Sequence, residues 1–216
     1  MGLDYSYRIL VPAHDVGRAL IELTELAPPA RRETPLTVTM PGGARLDVPF
    51  TSNFTSEPVD CSAGDKLELD TCILFGVDDA VREYCADREY ETDASGRVGL
   101  GYVYLTVEFA PVPHPRFASL EFTAATSGMS RLFERSASVR AVFTSLTAAC
   151  GGVCALLDTE SDTFHICWLN GESVHDTVPG PRFAEYADLV AVWPDGAAER
   201  TRSARKLWRH AGPAHP

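Results

Sequence analysis

No stretch of this chain comes near the eighteen or so consecutive apolar residues that a membrane-spanning helix requires. The opening residues, Met1 to Arg8, have neither the basic region nor the apolar core of a secretory signal. The expectation is a cytoplasmic protein with no membrane partner. Lysine is nearly missing: of 19 basic residues, only Lys66 and Lys206 are lysines. With abundant Ala, Val, Pro and Asp, that bias points to a GC-rich bacterial genome and says nothing of function. No dinucleotide or phosphate-binding glycine loop, HExxH helix or GxSxG elbow occurs. These absences count against the commonest nucleotide and hydrolase chemistries. A loose myristoylation pattern (Met1-Gly2 with Ser6) and a glycosylation sequon (Asn53-Phe54-Thr55) are discounted, because the sequon matters only in a secreted protein.

What is present is enough to fold. With 216 residues at 45% hydrophobic, the chain can bury a core without disulfides or metal. The net charge of −11 is unevenly spread. Residues 197–216 hold Arg200, Arg202, Arg205, Lys206 and Arg209 against Glu199, a net of +4, so residues 1–196 carry −15. An acidic body repels phosphates, which makes nucleic acid an unfavourable partner. The basic segment is expected to be a disordered tail, dispensable for folding.

Hydrophobic spacing predicts the elements. Tyr5, Tyr7, Ile9 and Val11 alternate as in a strand, and Val16, Ala19, Leu20, Leu23 and Leu26 then repeat at helical spacing up to Pro28-Pro29. Leu36–Met40 and Arg45–Phe50 flank a glycine turn as a hairpin, and residues 51–65 read as loop. A strand over 67–73, a helix after Asp78-Asp79 and a strand over 102–109 follow. The proline-rich stretch 111–116 reads as a linker between units 1–110 and 117–196. Beyond it come a strand at 119–123 and a long helix over 129–150, with a break near Ser136-Ala137-Ser138. A hairpin of 153–157 with 163–169 follows, and a last short helix over 181–192. The fold class is α+β, with an antiparallel or mixed sheet and helices on one face. Two ferredoxin-like βαββαβ units in tandem are the preferred arrangement, and paired βαβββ modules the alternative.

Two constellations are candidates for chemistry. Ser127, Gly128, Ser130, Arg131 and Arg135 open the long helix. Free amides at a helix start, hydroxyl donors and two arginines one turn apart would clamp a phosphate or carboxylate. In the cysteine hairpin, a turn centred between Glu160 and Ser161 would set Cys154 opposite Cys167, with His165 on the same face and Cys150 within reach. That donor set is acceptable to zinc, but its spacing is not that of a zinc ribbon, and small buried cysteines are the simpler reading. No cofactor is expected. Tyr102 and Tyr104 share one strand face; a face covered by a second helix layer is the simpler reading, and a ligand groove or a base-stacking platform the alternatives.

The leading expectation is a non-enzymatic binding protein for a small anionic molecule or a protein partner, associating as a homo-oligomer. The rival readings are an enzyme acting on a phosphorylated or carboxylated small molecule and, more distantly, a zinc protein.

Overall fold

The computed structural model describes residues 2–29, 35–64, 66–86, 90, 92–109 and 117–179. Its centre is a seven-stranded sheet in the order β10-β9-β8-β1-β7-β6-β5, antiparallel at every pairing. The strands are β1 (Ser6–Pro12), β5 (Leu67–Phe75), β6 (Val98–Glu108), β7 (Phe117–Ala124), β8 (Cys154–Asp158), β9 (Thr163–Leu169) and β10 (Glu172–Pro179). A second sheet of three short strands, β3 (Arg45–Val48), β2 (Leu36–Thr39) and β4 (Val59–Asp60), adds its apolar residues to the same core.

Register explains where the core lies. Ile9 of β1 faces Leu120, which faces Val107, which faces Leu67. Tyr7, Phe122, Leu105 and Leu69 make the next such row. Because side chains alternate along a strand, all of these lie on one face of the sheet. The four helices pack there: α1 (Val16–Thr24), α2 (Asp79–Cys85), α3 (Ser127–Arg135) and α4 (Ala137–Ala149). Their buried apolar residues belong to the same cluster as those rows. The α+β class, the antiparallel sheet and the helices on one face are as the sequence predicts.

The finer arrangement differs. Among the described residues neither a tandem of βαββαβ units nor paired βαβββ modules is seen. Strands β6 and β7, on either side of residues 110–116, are hydrogen-bonded neighbours, and β1 lies between β7 and β8. One βαββαβ path therefore runs through β1, α1, β6, β7, α3 with α4, and β8, and both parts of the chain share one sheet. Strand β1 is central, with both edges taken by strands from the far part of the chain. The expected linker at 111–116, the helix over 181–192 and the tail at 197–216 lie outside the described residues.

The helix break is at Ser136, and its cause is a cap. Ser136 is extended (φ −84°, ψ 121°), and its hydroxyl accepts a hydrogen bond from the Val139 amide, starting α4 afresh. That hydroxyl also donates to Asp78, which itself caps α2 by accepting from the Val81 amide. One carboxylate thus joins the starts of two helices.

Candidate functional site

The start of α3 is occupied by the chain's own N-terminal segment. Ser127 Oγ accepts from the Leu3 amide at 2.9 Å. Ser130, completely buried, donates to the Leu3 carbonyl at 2.6 Å and accepts from the Tyr5 amide at 3.2 Å. Thr126 caps the helix by accepting from the Met129 amide. Gly128 runs against Tyr84 of α2, whose ring edge stands 3.3 Å from where a Cβ would be. Arg131 is exposed, and Arg135 pairs with Glu83 of α2 at 2.9 Å, both side chains in solvent. The five residues are neighbours, as expected, but the two hydroxyls are engaged in holding residues 3–5 onto the helix.

A consequence is measurable. Ser130→Ala removes the one hydroxyl that pairs with both the Leu3 carbonyl and the Tyr5 amide, and should cost about 1–3 kcal/mol, the range for buried polar groups left unpaired. Urea denaturation gives the loss. Proteolysis at the N-terminus should accelerate in the same variant, and a variant as stable as the wild type would show that the serine does not anchor this segment.

The cysteine hairpin has a different register from the expected one. Cys154 faces Leu169, Leu156 faces Ile166 and Leu157 faces His165, with an irregularity between Ala155 and Leu156. Cys167 is the extra residue on β9, and it belongs to the helix-side core. Cys154 lies on the opposite face, among Leu10, Leu156, Phe164 and Ile166. Cys150 ends α4 in the helix-side core. Burial raises all three thiols, Cys150 and Cys167 to about 11, which keeps them protonated at neutral pH. Among the described residues no three His, Cys, Asp or Glu side chains gather as a metal would require.

The chemically distinctive surface is the sheet face turned away from the helices. It has two halves. Across β8 and β9 it is apolar and buried, through Cys154, Leu156, Phe164 and Ile166 with Leu10 of β1. Across β5, β6 and β7 it is polar and partly open. One row there reads Arg8, Glu121, Thr106, Glu68, and the next Ser6, Thr123, Tyr104, Asp70. Arg8 and Glu121 form an ion pair at 2.7 Å, and Ser6 donates to the same carboxylate.

Over this polar half stands a strained turn. Asn53 and Phe54 both have positive φ, 50° and 58°, between Ser52 and Thr55, whose amides and carbonyls exchange hydrogen bonds. That is a two-residue turn with both central residues left-handed, where glycine is the favoured occupant of the second position. A phenylalanine there costs on the order of 1 kcal/mol. Asp70 holds the turn by accepting from the Phe54 amide and the Thr51 hydroxyl. The ring is thereby set edge-on to Tyr102, with centroids 5.4 Å apart and planes at 80°. Phe54 is 62% exposed and Tyr104, two residues beyond Tyr102, 39% exposed. Tyr102 and Tyr104 sharing a face is as predicted from their spacing. Phe54 was not foreseen, because residues 51–65 read as a loop without pattern, and its only sequence signal was an aromatic in a polar stretch.

A shallow groove of about 390 Å³ lies between α1 and α4, lined by Glu22, Glu25, Leu26, Ala141, Val142 and Leu146 among others. No described helix is long and apolar enough to cross a membrane. No protein family, curated protein or solved structure matches the chain.

Proposed function

We propose that the chain is a non-catalytic binding protein, and that the open half of its bare sheet face receives a basic segment of another protein. The observation that carries this reading is Phe54, a large aromatic held exposed, in an unfavourable backbone conformation, above Tyr102. Strain of this kind persists where surrounding structure enforces it, and it clusters at binding sites. Exposed aromatics on a rigid sheet are the usual anchors of protein interfaces, since they bury much area at little entropic cost. Charge favours a basic partner: Glu68, Glu108 and Glu121 lie further along the same strands, Glu68 and Glu121 already paired with Lys66 and Arg8, and residues 1–196 carry −15. A lysine or arginine would gain from the ring faces and from these carboxylates together.

The test is a random-peptide display selection on the wild-type chain, followed by binding to two variants. Selected peptides should carry Arg or Lys beside an apolar residue, and should bind Tyr104→Ala and Phe54→Gly about tenfold or more weakly, the scale of an interface anchor. Stability separates this from damage. In Phe54→Gly, relief of roughly 1 kcal/mol of strain offsets the entropic cost of glycine, so folding stability should hold within about 0.5 kcal/mol. Peptides that bind both variants as well as the wild type would remove the aromatic patch from the proposal.

A further inference from the structure

The rings at the strained turn make a shape as well as a patch. Phe54 and Tyr102 meet with centroids 5.4 Å apart and planes at 80°. In such a T the edge of one ring meets the face of the other, so the corner between them is walled by two π faces. With Phe54 62% exposed and Tyr102 half-buried, neither ring is closed off from solvent. Tyr104 stands two residues on along the same strand face, about 7 Å from Tyr102, and is also open to solvent. The corner is held on both sides. Asp70 accepts from the Phe54 amide at 2.6 Å and the Thr51 hydroxyl at 3.1 Å, and its own amide donates to the Thr51 carbonyl at 2.7 Å. Tyr102 is fixed in the ladder opposite Cys72.

What a cation meets there decides which cation fits. A lysine ammonium is strongly hydrated and carries three N–H donors that need acceptors. The carboxylates on this face are engaged: Asp70 by the turn, Glu68 by Lys66 at 2.7 Å and Glu121 by Arg8 at 2.7 Å. A quaternary ammonium has no N–H to satisfy, and its methyl groups gain directly from ring faces. We infer that the corner between Phe54 and Tyr102 takes a quaternary ammonium, presented as a trimethylated lysine of the partner segment. The inference rests on the reading of this face as a protein-binding site, and it names the group that the aromatic anchors hold. A phosphocholine headgroup fits less well, because its phosphate would meet the field of a body carrying −15 over residues 1–196.

The experiment needs no identified partner. Three blocked single residues are titrated into the full chain: trimethyl-lysine, lysine, and the neutral analogue of trimethyl-lysine with carbon in place of the charged nitrogen. Binding is read from the amide shifts of Phe54, Tyr102 and Tyr104. Trimethyl-lysine should bind about fivefold or more tightly than either of the others, the scale of a partly desolvated cation–π contact. Phe54→Gly and Tyr102→Leu should each level the three, and Tyr102→Phe should keep the preference, because it keeps the ring. Lysine binding as tightly as trimethyl-lysine overturns the inference, and so does the neutral analogue binding as tightly, since the corner would then be merely apolar. No saturable shift with trimethyl-lysine overturns it too. Phosphocholine, run as a fourth probe, should bind more weakly than trimethyl-lysine, and tighter binding would overturn the assignment to a protein. These failures are distinct from failure of the protein-partner reading, which falls if display-selected peptides are indifferent to Phe54→Gly and Tyr104→Ala.

Discussion

Truncating Phe143 to alanine should cost about 4 kcal/mol of folding stability, within the 3–5 kcal/mol range for deleting a buried phenylalanine. Phe143 is fully buried on α4 and touches four other rings. It stacks on Tyr7 at 4.4 Å and 21°, and meets Phe122 at 5.1 Å, Phe133 at 5.6 Å and Phe75 at 6.0 Å. Three strands and helix α3 converge on it, since Tyr7 is in β1, Phe122 in β7, Phe75 in β5 and Phe133 in α3. The cavity left behind cannot collapse easily, because Tyr7 is fixed by donating its hydroxyl to the Phe133 carbonyl at 3.0 Å. Burial also raises the Tyr7 hydroxyl above its ordinary value, so it is a donor at neutral pH. Phe143→Leu keeps most of the volume and should cost about 1–2 kcal/mol. Urea denaturation decides. A loss below about 1.5 kcal/mol for the alanine variant would mean that α4 is not packed on the centre of the sheet as described.

The second large effect concerns Asp78. Its carboxylate accepts from the Val81 amide, the Ser138 amide and the Ser136 hydroxyl, and so caps α2 while bracing the start of α4. Partial burial alone would raise its pKa. The amide hydrogen bonds from Ser138 and Val81 and the hydroxyl of Ser136 outweigh that and hold it at about 2, below the ordinary 3.8. A carboxyl with a depressed folded pKa contributes stability that is complete above its unfolded value. The contribution fades as pH falls from about 4 toward 2. With the side chain partly in solvent, it amounts to about 1–2 kcal/mol. Asp78→Ala should cost about 2–4 kcal/mol at pH 7, as two helix starts lose an acceptor. The variant should also lose the matching part of the acid limb, so that wild type and variant converge toward pH 2. A constant difference between them from pH 7 to pH 2 would show that the ionised form is not what the helices use.

Much of the fold was legible because its signals are local. The alternation of β1, the stripe of α1, the Gly42-Gly43 hairpin and the break near Ser136 all follow from spacing and from residues with strong conformational preferences. Strand β10 was missed although Asn170 and Gly171, both left-handed, are the commonest sequence of a two-residue hairpin turn. The strand beyond them, Glu172 to Pro179, lacks alternation, and its pairing carries an irregularity between Ser173 and Asp176. The hairpin register of β8 and β9 failed for a related reason. An extra residue at Cys167 shifts every partner beyond it, and nothing in the sequence marks a bulge of that kind. The tandem arrangement failed because sheet order is non-local: the placing of β1 between β7 and β8 depends on chain segments more than a hundred residues apart.

The candidate site was less legible than the fold. Ser127 and Ser130 have the right chemistry for an anion, and their spacing is that of a helix start. Only the structure brings Leu3 and Tyr5 onto their hydroxyls. Conversely, Phe54 gains its significance from a backbone conformation and from Asp70, sixteen residues away. Neither is visible in a stretch without periodicity.

The open half of the bare sheet face is the proposed site of a protein partner. Amide chemical-shift mapping with a display-selected peptide tests it most directly, because it reads every surface at once. The predicted result is a contiguous set of shifts at Phe54, Tyr102, Tyr104, Thr106 and Glu121, with α1 and α4 unmoved. Shifts centred on Glu22, Leu26 and Val142 in the groove between α1 and α4, or at the start of α3 around Arg131, would contradict it.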